Sequence, residues 1–205
     1  MRKILFALIF VFVMPVMAEL SDTDNKLAIE RMEYLVKDVE DKILKKNVSQ
    51  EQKNKHFDEI LVSQMDLNRI ANFIVGKPWK EAGDKQKDNF LKAFRHFQVL
   101  KFRETFNSYT NEEIKITGTL PSSSKNQTFV EMKIISKDNQ GQPVDVKWKI
   151  LKENDGSFKI TDVVIEGISM ASSLKQEYAG ILNNASGDKL DYLTHQIEEK
   201  SKQFK

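Results

Sequence analysis

The 205-residue chain contains no cysteine and has few prolines and glycines, four and eight respectively. Without cysteine it has no disulfide framework, no CxxC redox pair, no thiolate nucleophile and no cysteine-ligated zinc or iron-sulfur site. The low proline and glycine content excludes collagen-like and low-complexity proteins, and 40% hydrophobic residues are too many for a disordered chain. The length predicts one globular domain.

Long apolar runs are also absent, apart from one at the N-terminus. Residues 1–3 are short and basic, residues 4–14 carry no charge, and Pro15 and Ala18 follow. This pattern is typical of an export signal, because the apolar run is much shorter than the roughly 20 residues that a membrane anchor needs. We predict a signal peptide over 1–18, cleaved after Ala18, and one exported domain over 19–205.

An excess of charge of one sign is missing as well. The whole chain has 32 Lys and Arg against 30 Asp and Glu. Arg2 and Lys3 leave with the predicted signal, so the mature chain is predicted to be neutral. A nucleic-acid partner would need a clustered basic face, and we therefore predict no nucleic-acid partner.

The first half of the mature chain has the period of amphipathic helices, and we predict a helical region over 22–110. Ser49 and Gln52 form a capping-box pattern for the second helix, and Gly76 is the expected C-terminal cap of the third. Asp84 is the expected N-cap of the fourth and longest helix. That helix carries Phe90, Phe94, Phe97, Phe102 and Phe106.

After residue 111 the period changes from 3.6 to 2, which indicates half-buried strands. Four strands are predicted within 112–166, joined by tight turns, with a bulge near Asp162 because the parity of the apolar residues changes there. Ser169 and Ser186 are the predicted N-caps of two more helices within 169–203. Helices and strands that are segregated in this way predict an α+β fold, a curved four-stranded antiparallel sheet with helices on its concave face.

Catalytic motifs are missing. The chain has no GxSxG nucleophile elbow, no phosphate-binding GxxxxGK[ST] loop and no HExxH zinc pattern. Asp191 and His195 have helical spacing and Ser169 or Ser172 is a conceivable nucleophile, but an exposed helix-surface pair is the simpler interpretation of Asp191 and His195. We therefore predict neither catalysis nor a metal site.

Two sets of large apolar side chains are expected to face each other, the phenylalanines of the long helix and one face of the sheet. If they meet fully they form a core, and if the curvature of the sheet separates them they line a cavity for an apolar ligand. Periodicity leaves both possibilities open.

Residues 162–170, DVVIEGISM, follow a hairpin that contains residues 144–148, VDVKW. Together they resemble the signature of the toluene-tolerance, or MlaC-type, periplasmic phospholipid-binding proteins. A second block agrees, with Val75 and Gly76 before the aromatic Trp79, followed by Gln86 and then Phe90 and Phe94. The resemblance covers nearly the whole mature chain.

The resemblance implies an NTF2-like sheet with a helical subdomain, enclosing an apolar pocket for the acyl chains of a diacyl phospholipid. It implies a periplasmic carrier that exchanges lipid with an outer-membrane lipoprotein-porin complex and an inner-membrane ABC transporter with an MCE-domain subunit. The implied role is maintenance of outer-membrane lipid asymmetry. No cofactor is expected besides the bound lipid, and a monomer is predicted.

The facing apolar stripes and the resemblance together predict the residues of the lipid pocket. They are Leu67, Ile70, Phe73, Phe94, Phe97, Phe102, Phe106, Met132, Ile134, Val144, Val146, Trp148, Ile165, Met170, Leu174 and Tyr178. Two other functions remain open. An enzyme of NTF2-like fold would need a buried polar group with a shifted pKa, for which Asp162 is the main candidate, and a holdase chaperone would expose apolar surface.

Overall fold

The computed structural model describes residues 19–45, 47–107, 112–135 and 142–204, so the predicted signal peptide lies outside the described residues. The elements in chain order are α1 Asp22–Val39, continued by a π-helical turn Glu40–Leu44, α2 Gln50–Gln64, α3 Leu67–Val75, α4 Lys77–Glu81, α5 Asp84–Asn107, β1 Glu113–Pro121, β2 Gln127–Ile135, β3 Val144–Lys152, β4 Phe158–Ile165, β5 Ile168–Ser169, α6 Met170–Asn183 and α7 Lys189–Ser201. Within these ranges, no helix combines the length and the apolar character that crossing a membrane requires.

The predicted α+β class is confirmed, with an antiparallel sheet in the order β1-β2-β3-β4-β5. The sheet has one strand more than predicted, because the two-residue β5 is too short to show an alternating pattern. It pairs with β4 across a tight turn in which Glu166 and Gly167 both have positive φ, 48° and 80°. A two-residue hairpin turn of this kind matches the twist of the strands that it joins.

Two of the predicted helix N-caps are confirmed, and a third is not. The capping box of Ser49 and Gln52 is present, and the Ser169 hydroxyl accepts from the Ser172 N–H at the start of α6. The prediction for Ser186 was wrong. Asp188 is the N-cap of α7 because its carboxylate accepts from two backbone N–H groups there. Serine and aspartate are equally good caps, so the sequence could not distinguish them.

Two other helix boundaries differ from the prediction. The long helix α5 already includes Asp84 as its first residue, so Asp84 is not its cap. The predicted C-terminal cap of α3, Gly76, is present with a φ of 72°, but the short helix α4 that follows it was not predicted. Pro78 lies in the first turn of α4, where its missing N–H costs nothing.

The predicted bulge in β4 is confirmed. Lys149 pairs with Asp162 and the next residue, Ile150, pairs with Ile160, which leaves Thr161 as the extra residue. The bulge brings Ile160, Val163 and Ile165 onto the same face of the sheet, since their register partners are alternate residues of β3. This is the inner face, which the N-terminal helices cover.

In the part of the chain that the structure describes, the apolar interior consists of two clusters. The sheet cluster joins the inner sheet face to α1, the π-helical turn and α2 through Ala28, Met32, Leu35, Ile43, Ile60, Val130, Met132, Val146, Ile150 and Ile160. The helical cluster joins α3, α4, α5, α6 and α7 through Ile70, Ala71, Ile74, Val75, Trp79, Phe90, Ala93, Phe94, Phe97, Ala171, Tyr178, Leu182, Leu190, Leu193 and Ile197.

The two clusters meet between α2 and α3. Met65 is partly buried and packs against both of them. Next to it, the backbone N–H of Asp66 donates to the carbonyl of Ile160 at 3.0 Å, which attaches the α2–α3 connection to β4. The helical part is therefore joined to the sheet at the strand that carries the bulge.

Candidate functional site

Apolar side chains form continuous rows across the inner sheet face. One row passes from Ile116 through Met132 and Val146 to Ile165, and the next joins Ile114, Ile134 and Val144, as the strand registers show. The middle of the face is covered by α1, because Val130, Met132 and Val146 lie in the sheet cluster.

One end of this face is less covered. Val144 is 38% exposed and Ile168 is 59% exposed, and Ile165, which pairs with Ile168, is exposed to a similar degree as Val144. Ile134, the register partner of Val144, is half-buried. We call these four residues, Ile134, Val144, Ile165 and Ile168, the apolar sheet end. A group of large apolar side chains left open to water in this way is typical of a binding surface.

The predicted pocket residues fall into two groups. On the sheet, Met132 and Val146 are buried and Ile134 and Trp148 are partly buried in the sheet cluster, while Val144 and Ile165 belong to the exposed end. On the helices, Ile70, Phe94, Phe97 and Tyr178 are buried in the helical cluster, Leu67 and Leu174 pack against it, Met170 is half-buried and Phe73 is exposed. The side chains of Phe102 and Phe106 lie outside the described residues.

The expectation that the phenylalanine stripe faces the sheet is not met by the residues that the structure describes on α5. Phe90 and Phe94 stack on each other with ring centroids 5.8 Å apart, and Phe97 packs edge-on against Phe204 at 5.5 Å. These rings lie in the helical cluster because α4, α6, α7 and the C-terminal residues supply other apolar partners for them. The spacing of the phenylalanines along the sequence did not indicate whether they would pack against the sheet or against these other helices.

Asp162, the polar candidate of the enzyme hypothesis, has a structural function. Its Oδ1 accepts from the backbone N–H groups of Val163 at 2.8 Å and Ala171 at 2.9 Å, and its Oδ2 accepts from the Ser169 hydroxyl. The carboxylate thus joins the bulge of β4 to the first turn of α6, where the helix dipole favours a negative charge. Ser169 is engaged in the same cap and is not placed as a nucleophile.

We expect Asp162→Ala to lower the free energy of unfolding by about 2 kcal/mol, because two backbone N–H groups and a hydroxyl in a partly buried network lose a charged acceptor. Urea unfolding measures this loss. Asp155→Ala is the control, since Asp155 also accepts a backbone N–H, from Ser157, but lies on an exposed turn where the loss should be about 0.5 kcal/mol or less. Equal losses for the two variants would contradict the role given to Asp162.

Tyr178 is only 1% exposed, and its hydroxyl has no hydrogen-bond partner among the described residues. Its ring packs edge-on against Phe90 with centroids 6.4 Å apart. Burial, with a smaller contribution from the charge of Glu177, raises the pKa of the phenol, so it is neutral at physiological pH.

Because a buried hydroxyl without a partner opposes folding, we expect Tyr178→Phe to leave the free energy of unfolding unchanged or to raise it by up to about 1 kcal/mol. Thermal and urea unfolding of the two proteins provide the test. A loss of more than about 1 kcal/mol would show that the hydroxyl makes a stabilising contact in the folded protein.

The remaining polar candidates lie on the surface. Asp191 accepts from Gln86 at 3.0 Å, and His195 is exposed with its Nε2 4.0 Å from Glu199 Oε1. A cleft of about 360 Å³ beside them is lined by polar side chains of α5 and α7 and is unsuited to acyl chains. Among the described ranges, no group of three or more histidine, aspartate or glutamate side chains is placed to hold a metal ion.

Comparisons with known protein sequences give matches to one family. A sequence profile of the family described as MlaC protein matches residues 30–199. The intermembrane phospholipid transport system binding protein MlaC of Haemophilus influenzae is 26% identical over 131 residues, which are 63% of this chain and 61% of that relative, so the match spans less than two thirds of the relative's length.

The fold has a solved counterpart. The phospholipid-binding protein from Ralstonia solanacearum, determined in complex with a phospholipid, superposes with a TM-score of 0.66. The match covers 89% of this chain and 97% of that one, at 18% sequence identity. At this identity the likeness shows that the two chains share a fold.

Proposed function

Because the chain belongs to the MlaC protein family, with residues 30–199 matching the family profile, we propose that it is a phospholipid carrier that holds the acyl chains of one diacyl lipid. The observation that carries the proposal is the apolar sheet end, where large apolar side chains of the inner sheet face lie open to solvent. The Haemophilus influenzae and Ralstonia solanacearum relatives support the choice of phospholipid as the ligand.

Transfer of a phospholipid through water needs a carrier. A diacyl lipid has about 30 methylenes, each favouring an apolar environment by about 0.8 kcal/mol, so a free lipid in water faces a barrier on the order of 20 kcal/mol. A carrier removes the barrier by covering both chains. The acyl chains gain about as much free energy from burial inside the protein as from burial in a membrane. Small differences in free energy between conformations of the carrier can therefore set the direction of exchange.

We place the acyl chains between the apolar sheet end and the border of α3 and α6 with β4. The sheet side of this site comprises Met132, Ile134, Val144, Val146, Trp148 and Ile165, and the helical side comprises Leu67, Ile70, Phe73, Met170 and Leu174. The proposed site also includes three residues of the helical cluster, Phe94, Phe97 and Tyr178. An acyl chain reaches them only if the two clusters separate around it. Separation at Met65, where they meet, would open such a path.

The physiological proposal follows from the family. The protein is exported to the periplasm and carries glycerophospholipid between an outer-membrane lipoprotein-porin complex and an inner-membrane ABC transporter with an MCE-domain subunit. Its role is to maintain outer-membrane lipid asymmetry. The engagement of Asp162 and Ser169 in a helix cap favours this binding function over catalysis.

The direct test of binding is lipid uptake. Delipidated protein is incubated with vesicles that contain a fluorescent phospholipid, and the protein is then separated by size. The proposal predicts about one lipid per chain in the protein fraction and no hydrolysis of that lipid. Protein that remains lipid-free, or that releases lysolipid, would contradict it.

Lipid loading is also expected to stabilise the fold. A ligand that binds only the folded state adds about 2.7 kcal/mol at a free concentration one hundred times its Kd. We therefore expect the Tm of the loaded protein to exceed that of the delipidated protein by several degrees in calorimetry. Equal Tm values for the two forms would contradict the proposal, and readdition of lipid should restore the higher value.

A further inference from the structure

Trp148 has a buried hydrogen-bond donor without an acceptor. Its Nε1–H is shielded from solvent and has no partner among the described residues. Buried tryptophan N–H groups usually find an acceptor, since leaving one unpaired opposes folding. The ring itself is partly buried in the sheet cluster, on the inner face.

The position of Trp148 connects this donor to the proposed lipid site. The register places it between Val130 and Val163, in the row next to that of Met132, Val146 and Ile165. Ile165 belongs to the apolar sheet end, whereas Met132 and Val146 in the same row are buried, so a single row of side chains separates the indole from Ile134 and Val144. Tyr178 also has an unpartnered donor, but its hydroxyl is enclosed in the helical cluster.

The surroundings of the indole determine which acceptor it suits. Lys147 and Lys149 flank Trp148 in sequence and therefore point to the opposite face. Lys147 pairs with Glu131 at 3.1 Å there, and Lys149 lies over the ring of Phe129. A phosphate beside the indole would be buried without a cation, which is costly, whereas a neutral carbonyl oxygen satisfies the N–H.

We propose that the Trp148 indole N–H donates a hydrogen bond to an ester carbonyl of the bound diacyl phospholipid and so sets the depth of the glycerol backbone in the site. The inference rests on the proposed function. It makes Trp148 a specificity-determining residue that distinguishes ester-linked from ether-linked lipids, because an ether oxygen is a poorer acceptor and ether lipids have no carbonyl at that position.

The test compares dioleoyl phosphatidylglycerol with its di-O-octadecenyl ether analogue, which has the same headgroup and chain length. Competition against a fluorescent lipid gives the two affinities. Wild-type protein should prefer the ester lipid by about three- to tenfold, the contribution of one neutral hydrogen bond. Trp148→Phe should bind both lipids equally, with the affinity that the wild type has for the ether lipid. The control is Trp79→Phe, the same change in the helical cluster, which should keep the wild-type preference for the ester lipid.

Nuclear magnetic resonance gives a second readout that needs no change at Trp148. The chain has two tryptophans, hence two indole N–H signals, which Trp79→Phe assigns. The ester lipid should shift the Trp148 signal downfield and the ether lipid should shift it less. The inference would be overturned if wild-type protein bound the two lipids with equal affinity. It would also be overturned if the ester lipid did not shift the Trp148 indole signal. Failure to bind either lipid would overturn the proposed function as well.

Discussion

Val144→Glu is expected to lower phospholipid affinity about a hundredfold while the protein stays folded. In the free protein the side chain at 144 is 38% exposed, so the carboxylate keeps much of its hydration and the fold should change by about 0.5 kcal/mol or less. In the lipid complex that we propose, an acyl chain covers the position, and an unpaired carboxylate would lose that hydration. A cost of about 2.7 kcal/mol corresponds to the hundredfold loss.

Val62→Glu is the matched control. Val62 is also an exposed valine, at 47%, but it lies on α2 away from the apolar sheet end. Both variants are checked by circular dichroism and urea unfolding, and their affinities are measured by lipid uptake from vesicles. Wild-type affinity in Val144→Glu, or an equal loss in Val62→Glu, would exclude the apolar sheet end as the lipid site. Val146 is unsuitable for this comparison because it is buried, so a charge there would damage the fold.

Phe90→Ala is expected to reduce the free energy of unfolding by about 3–5 kcal/mol. Phe90 is fully buried at the centre of the helical cluster. Its ring is stacked on Phe94 and packs edge-on against Trp79 and Tyr178, with centroid distances between 5.8 and 6.4 Å. Alanine removes all three contacts and leaves a cavity that rigid neighbouring helices fill only in part.

The same substitution at an exposed phenylalanine provides the comparison. Phe73 lies on α3 and is 44% exposed, with Lys175 Nζ 4.6 Å from its ring centroid. Phe73→Ala should cost about 1 kcal/mol or less in unfolding experiments, since it loses one exposed cation–π contact. If Phe73→Ala and Phe90→Ala were equally destabilising, the assignment of Phe90 to the core of the helical cluster would be wrong.

Local patterns were enough to predict most of the fold. The capping box at Ser49 and the parity change at Asp162 each depend on residues close together in sequence, and both appear in the structure as predicted. Where two residues fit one role equally well, as Ser186 and Asp188 do, the choice depends on the path of the chain before α7 and could not be predicted locally. The same holds for β5, which is too short to carry a period.

The site was harder to predict because it depends on which apolar faces meet. An amphipathic stripe indicates that a helix face is buried, but it does not identify the partner. Phe94 and Phe97 could pack against the sheet or against α6 and α7, and the structure shows the second arrangement. The incomplete cover of Val144 and Ile168 likewise results from where α1 and the other helices lie across the sheet, which alternation along β3 does not reveal.

The most direct test of the account is to identify what the protein carries when it is purified gently from cells. Organic extraction followed by mass spectrometry should recover about one diacyl phospholipid per chain from the wild type and much less from Val144→Glu. A wild-type protein that contains no phospholipid, and that takes up none from vesicles, would contradict the central claim.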